Sequence, residues 1–327
     1  MYDLGNRSKM SGFCYNGCMK FEDVEKKREA YKEVLVKRFS ITYGIIFGVF
    51  LLFLVINIVN SSSMFSLFLA FWLLLFFGIF ALVIILITVK NERTAYHQAY
   101  KGYFVHQSLS KTFSKLVYNR EQGIGKEYLR ATGMINTGDR YSTNDYVHGE
   151  YKDVAFTQAD VHIEVEHTDS DGDTTYVTIF KGRFMDFEFP KKFSFRVEVA
   201  EKGFGANRVP GGKNQNGRSF EKIELESSEF NKMFRTYAED GFEAFYILDP
   251  AMMNNILTLG EKHKGKILLC FIDSHLLVGL NDGKDAFEPP SVFKPIDEQA
   301  EVKKVTEEIN LITGFVDELK LNRKIFK

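Results

Sequence analysis

Residues 41–89 contain no Asp, Glu, Lys, Arg or His. The stretch divides into "ITYGIIFGVFLLFLVINIV" (41–59), a polar break "NSSS" (60–63) and "MFSLFLAFWLLLFFGIFALVIILITV" (64–89). A bilayer's hydrocarbon core is about 30 Å thick and takes roughly 20 apolar residues of helix, because backbone amides there must bond within the segment. Each half is long enough, and one unbroken helix would be too long. The pattern therefore predicts a transmembrane helical hairpin turning at "NSSS". Asn57 is the one strongly polar side chain at depth. It either bonds at the interface near its helix end or makes a polar contact between helices or protomers.

Outside this run the period changes. Residues 20–39 have a charged, helical composition. In "TAYHQAYKGYFVHQSLSKTFSKLVY", Tyr96, Tyr100, Phe104, Leu109, Phe113 and Leu116 recur three to five apart, predicting a juxtamembrane helix over 90–118. Turns and short strands are expected over 119–149. Alternation with period two then sets in: Val161, Ile163 and Val165 against His162, Glu164 and Glu166, and Phe193, Phe195, Val197 and Val199 against Ser194, Arg196 and Glu198. These are strands with one buried face. Asp249 followed by Pro250 marks a helix start, and Ser227 or Ser228 caps another. "KILLCFID" and "LLVGL" form a hairpin around Ser274. Near the end Val302, Val305, Ile309, Ile312, Val316 and Leu319 make a helical stripe, which either forms a coiled-coil seam or packs on the domain's own sheet. The expected architecture is α+β: a cytoplasmic segment 1–40, the membrane hairpin 41–89, the juxtamembrane helix and a mixed domain over 119–327 with a largely antiparallel sheet and a C-terminal helix.

Charge orients this arrangement. Lys26, Lys27, Arg28, Lys32, Lys37 and Arg38 precede the first span, Lys90, Arg93 and Lys101 follow the second, and the turn between them has no charge. Basic residues stay inside, so both termini are expected in the cytoplasm. A cleaved signal peptide does not fit the charged residues ahead of the run. The absence of ionisable groups within the spans argues against a proton or ion pathway. Overall, Lys+Arg 42 against Asp+Glu 43 gives a net charge of -1, without the basic excess of a nucleic-acid binder. Cys270 sits in an apolar run and reads as buried. Cys14 and Cys18 are weak evidence for zinc without a second pair, and Met19 is an alternative start.

Motifs that suggest chemistry mostly dissolve on counting. "HTDSDGDTTY" (167–176) spaces three aspartates like a calcium loop, but an EF-hand needs glycine at position six and glutamate at twelve. From Asp169 those positions hold Thr174 and Phe180, so an Asp-Gly hairpin tip is expected instead. "GIGKEY" lacks the first glycine and the Ser/Thr of a phosphate loop. Asp273, Ser274 and His275 are consecutive between strands and read as a turn rather than a triad. Neither His97 with His106 nor His162 with Glu164 and Glu166 makes a convincing ligand set. The polar insert "EKGFGANRVPGGKNQNGRS" carries Lys202, Arg208, Lys213 and Arg218, candidate contacts for anionic lipid or a partner. No catalytic, cofactor or metal residue is identified.

The segments "DRYSTNDYVHGEYKDVAF", "FKGRF", "ESSEFNKMFRTYAEDGFEAFYILDPAMMNNIL", "DAFEPP" and "GFVDELKLNRKIF", in that order behind a membrane hairpin, resemble an uncharacterised bacterial membrane-protein family, a domain of unknown function. The resemblance covers about residues 35–327 and is most specific over 229–257. It implies architecture, a bacterial origin and genes near those for LemA-type membrane proteins, and it carries over no catalytic residue. The glycine-rich insert at 203–219 is longer and more basic than the family pattern. The expected function is a binding or scaffolding module at the inner membrane surface, meeting a protein partner or lipid headgroups, with self-association open. An enzyme acting on a membrane-associated substrate is the alternative.

Overall fold

The computed structural model describes residues 19–59, 64–188, 192–204, 212–213 and 219–321. Two compact units emerge, one made of Cys14–Val105 with Pro289–Glu301, the other of His106–Glu288 with Val302–Lys327 as far as these are described.

The first unit is helical. Helix α1 (Phe21–Val59) runs without interruption from the charged segment into the first apolar stretch, and α2 (Met64–Thr88) holds the second. Both are long and apolar enough to cross a membrane. The "NSSS" turn falls outside the described residues, as do Cys14 and Cys18. Helix α3 (Lys90–Tyr100) continues into a π-helical turn, Lys101–Val105. Pro289–Glu301, read from the sequence as part of the mixed domain, packs here. Arg28, 1% exposed, donates to the Val292 carbonyl and pairs with Glu25 and Glu29. Tyr96 donates to the Pro290 carbonyl (3.1 Å), Tyr100 to Glu301 (2.6 Å) and Tyr103 to Glu298 (2.5 Å). Those from Arg28 and to Glu301 and Glu298 are charge-assisted, the strong kind in a partly dry setting.

The second unit departs at once from the expected juxtamembrane helix. Helix α4 (His106–Thr112) ends early, and Ser114–Asn119 is strand β1, paired antiparallel with β2 (Arg140–Tyr151). Its Tyr118 hydroxyl bonds to Asp145 at 2.8 Å. Here cross-strand pairing wins over the helical spacing that the apolar residues also satisfy.

Among the described residues all strand pairs are antiparallel and form one sheet in the order β1-β2-β3-β4-β10-β9-β5-β8-β7-β6. The strands are β3 (Val154–Thr168), β4 (Thr174–Glu188), β5 (Val197–Glu201), β6 (Gly212–Lys213), β7 (Ser219–Ile223), β8 (Phe234–Ala238), β9 (Lys266–Ile272) and β10 (His275–Asn281). The interiors of β9 (Ile267–Phe271) and β10 (Leu276–Leu280) are apolar and buried because both faces are covered. On one face Ala159, Ile163, Phe184, Leu268 and Cys270 pack with Leu129 and Ile135 from the β1–β2 connection, which includes α5 (Lys126–Thr132). On the other, Phe187 meets Phe156 (6.2 Å) and Phe315 (6.1 Å) of helix α9 (Glu298–Glu318). The α9 stripe thus packs on the sheet from Val305 to Leu319, with Val302 left exposed. Three shorter helices lie between β7 and β9: α6 (Ser228–Met233) capped by Ser227, α7 (Gly241–Ile247) capped by Asp240, and α8 (Pro250–Lys262) capped by Asp249.

The fold depends on a close approach at Gly182. It pairs with Val161 and Asn281, has φ 154°, and an added Cβ would sit 2.0 Å from the Leu280 carbonyl oxygen. Gly182→Ala should therefore cost about 2–3 kcal/mol, read as a lowered denaturant midpoint of the purified chain.

Candidate functional site

The residues singled out from sequence do not converge. Lys202 lies exposed just after β5, and Lys213 belongs to the two-residue strand β6, whose backbone pairs with Ser219. Arg208 and Arg218 fall outside the described residues. The aspartate-rich loop is the hairpin tip expected: β3 ends at Thr168 opposite Thr174, and Asp169 Oδ1 accepts the amides of Asp171 (3.0 Å) and Asp173 (2.9 Å). Asp169 therefore uses its carboxylate to close the turn. His162 bonds to Thr178 and Glu166 to Tyr176, each occupied along the sheet. Among the described residues no group of three or more His, Cys, Asp or Glu could hold a metal.

A polar constellation does form on the sheet face that carries α5. Register places His148, Thr157 and Asp186 side by side across β2, β3 and β4. His148 Nδ1 lies 3.2 Å from the Thr157 hydroxyl. Asp186 binds His275 Nδ1 through Oδ1 at 2.8 Å and accepts the Tyr128 hydroxyl through Oδ2 at 2.5 Å. The Asp186 side chain is 13% exposed and that of His275 37%. The hydrogen bond to Asp186 raises the His275 pKa above its ordinary value; burial opposes this, and the charges of Asp186, Glu188 and Asp273 add to it. The Tyr128 hydroxyl is held in its protonated form, first by burial and then by the Asp186 charge. A carboxylate that fixes one imidazole nitrogen leaves the other able to give or take a proton. Nothing in the local sequence announces this group: "DSH" is a turn, and Asp186 reaches His275 only because β4 pairs with β10. The one local hint is the pair of carboxylates, Asp186 and Glu188, among the aromatics of "FMDFEF".

A second feature is apolar. Helix α7, "GFEAFYI", has only two turns, and it buries Ala244 and Ile247 against the sheet edge. Its opposite side leaves Phe242 87%, Phe245 48% and Tyr246 60% exposed. The helix is held in place by Asp240, which accepts the Glu243 amide at 3.0 Å, and by Glu243, which accepts the Ser194 amide at 3.2 Å. Phe195, 39% exposed, follows Ser194. Glu239, Asp240, Glu243 and Asp249 flank the aromatic residues in sequence, and each accepts a backbone amide, from Arg196, Glu243, Ser194 and Met252 respectively. Clustered exposed aromatics of this kind mark contact surfaces rather than ordinary solvent faces. At the start of β5, inside the sheet, lies a buried ion pair: Arg196 bonds Glu198 through Nε at 2.7 Å and donates to the Thr132 carbonyl. Burial pushes the adjacent Cys270 thiol up to about 12, which keeps it an inert core residue.

The sequence model of a family described as "Protein of unknown function (DUF3137)" matches residues 178–321. This agrees with the uncharacterised family expected from sequence, over the part of the chain from β4 to the end of α9. Among solved structures, the crystal structure of the mycobacterial trehalose monomycolate transport factor A, TtfA, aligns with 69% of this chain and 94% of that one, at 11% identity and a TM-score of 0.38. No curated protein matches.

The His275–Asp186 bond has a measurable consequence. A histidine whose folded pKa is raised adds stability that is fully present below its unfolded value of about 6.5 and is lost as pH rises through the folded pKa. In an imidazole NMR titration, His275 should show a midpoint above 6.5 in the native chain and a lower one in Asp186→Asn. The same variant should lower the urea midpoint more at pH 5.5 than at pH 9.

Proposed function

We propose that this chain is a membrane-anchored binding module. Helices α1 and α2 hold it in a bacterial cytoplasmic membrane with both termini inside, and the sheet unit meets a protein partner through the aromatic side of α7. Two helices of sufficient length and apolarity, with basic residues before α1 and after α2, support the anchoring. The observation that carries the binding role is the exposure of Phe242, Phe245 and Tyr246 on a helix whose other side is packed. An anionic lipid surface suits α7 poorly because four carboxylates, Glu239, Asp240, Glu243 and Asp249, flank it in sequence, whereas the insert with Lys202, Arg208, Lys213 and Arg218 suits it better. A second reading, an enzyme acting on a membrane-associated substrate, has the His275–Asp186–Tyr128 group in its favour. No nucleophile or cofactor residue has been identified beside it.

A photo-crosslinking amino acid placed at position 242 in the full chain, in native membranes, tests the binding role. The expected product is one discrete protein adduct, reduced at least tenfold by Phe245→Ser with Tyr246→Ser. Adducts to lipid alone, or a product unaffected by the double substitution, would count against it.

A further inference from the structure

We propose that Asp160 is a proton-dependent latch: it holds the turn 285–288, where the chain leaves the sheet unit, and releases it when its carboxyl ionises. The proposal is separate from the reading of α7 and concerns the sheet face that carries α9.

The turn is gripped from several sides. The Ala286 amide donates to Asp160 Oδ2 on β3 (2.5 Å), and the Phe287 amide donates to Glu308 Oε2 on α9 (2.5 Å). Lys181 on β4 pairs with Asp285 at 3.2 Å, and Lys304 on α9 donates to the Glu288 carbonyl (2.5 Å). Phe287 itself is fully buried with φ 57°. A non-glycine residue persists in that left-handed region only where its surroundings over-determine it. The turn is therefore a closed state held by a small set of bonds. The residues that follow it, Pro289–Glu301, belong to the helical unit.

Asp160 is the odd member of the set. It is 1% exposed, and its second oxygen, Oδ1, has no hydrogen-bond partner among the described residues. Gln158, two positions earlier on the same face of β3, is fully buried, and both its amide atoms lack a partner in the same way. The cross-strand neighbour of Asp160, Arg183, is engaged elsewhere: it donates to the Glu308 carbonyl at 2.9 Å and lies 3.8 Å from the Glu308 carboxylate. From β2, fully buried Asp145 brings a second negative charge, with its oxygens taken by the Tyr118 hydroxyl and the Asn144 amide. A buried carboxylate without a close cation is costly, whereas a carboxylic acid is not. Its O–H is also a donor beside an unmet acceptor, Gln158 Oε1, reached directly or through one bridging water.

Burial first, and then the Asp145 charge, hold the Asp160 carboxyl well above the usual carboxylate range; Asp285 adds to this, while Arg183 and the Ala286 amide oppose it. With the turn lifted, water reaches the group and its value falls back toward about 3.9. An acid raised in the closed state favours closure fully below that ordinary value. The advantage shrinks as pH rises toward the closed-state value and is gone above it. Higher pH therefore loosens the turn.

Hydrogen exchange of the full chain in detergent micelles, read by mass spectrometry and corrected for the intrinsic rate at each pH, tests this. Between pH 5 and pH 8 the opening of the 284–288 amides should rise at least fivefold, while the β9 amides of Ile267–Phe271 change less than twofold. Asp160→Asn keeps an acceptor for the Ala286 amide and cannot ionise, so its turn should stay closed at both pH values. Lys304→Met removes the bond to the Glu288 carbonyl without touching Asp160; it should open the turn further at both pH values and keep the pH response. Infrared spectra of the unaltered chain should show a buried carboxylic-acid band at pH 5.5 that Asp160→Asn loses. Turn exchange that ignores pH, a pH response that survives in Asp160→Asn or is shared equally by β9, or the absence of the acid band in the unaltered chain would each overturn the proposal.

Discussion

Along α1 and α2 the outward side chains include Ile45, Phe47, Val49, Phe76 and Ile87, each between 60% and 66% exposed. Leaving one such side chain in water rather than burying it costs roughly 1.5–3 kcal/mol, and dozens occur in succession. The helices are internally hydrogen-bonded and have no charged group along these surfaces, which is what a hydrocarbon environment demands. On that reading the rest of the chain works at a surface rather than in bulk solution. The charged start of α1, the π-helical turn after α3 and the Pro289–Glu301 segment then form the base of the anchor. Buried Arg28 is its centre, satisfied by two glutamates and a backbone carbonyl nearly the whole chain away. Removing such a partner would strand a buried charge, which is far more costly than losing a surface pair.

The sheet unit solves a different problem. A ten-stranded antiparallel sheet has two faces to cover, and it does so with α9 on one side and the α5 connection on the other. The helices are short and the sheet is wide, so cover is incomplete at two places. One is the polar row from His148 to Asp186 and His275. The other is α7, which is too short to bury more than one side of itself. The proposed binding role rests on the second because packed apolar side chains gain stability and exposed ones do not. An aromatic trio on a helix fixed by two carboxylate-to-amide bonds, through Asp240 and Glu243, is a feature that stability alone would not build.

Much of the architecture could be read from the chain, and the physical reasons are local. The apolar runs, the Asp249-Pro250 helix start, the Asp-Gly turn at Asp171 and Gly172, and the alternation in β3 each depend on neighbours within a few residues. What escaped reading was non-local. The 114–119 stretch satisfies helical spacing, yet its pairing with β2 decides its form. Pro289–Glu301 joins the helical unit through bonds to residues some 200 positions away, which no local pattern encodes. Asp186 and His275 are 89 residues apart and meet only through strand order. The basic insert stands out by composition, but two of its four cations lie outside the described residues, while α7, embedded in the most specific part of the family resemblance, carries no such compositional signal.

The central claim is that α1 and α2 anchor a binding domain in a membrane, and alkaline extraction of membranes containing the full chain tests it most directly. The account predicts that the full chain stays in the membrane pellet at high pH, where peripheral proteins are released, and that deletion of 41–89 moves the chain to the soluble fraction. Release of the full chain by alkaline extraction, or retention of the deleted form, would contradict it.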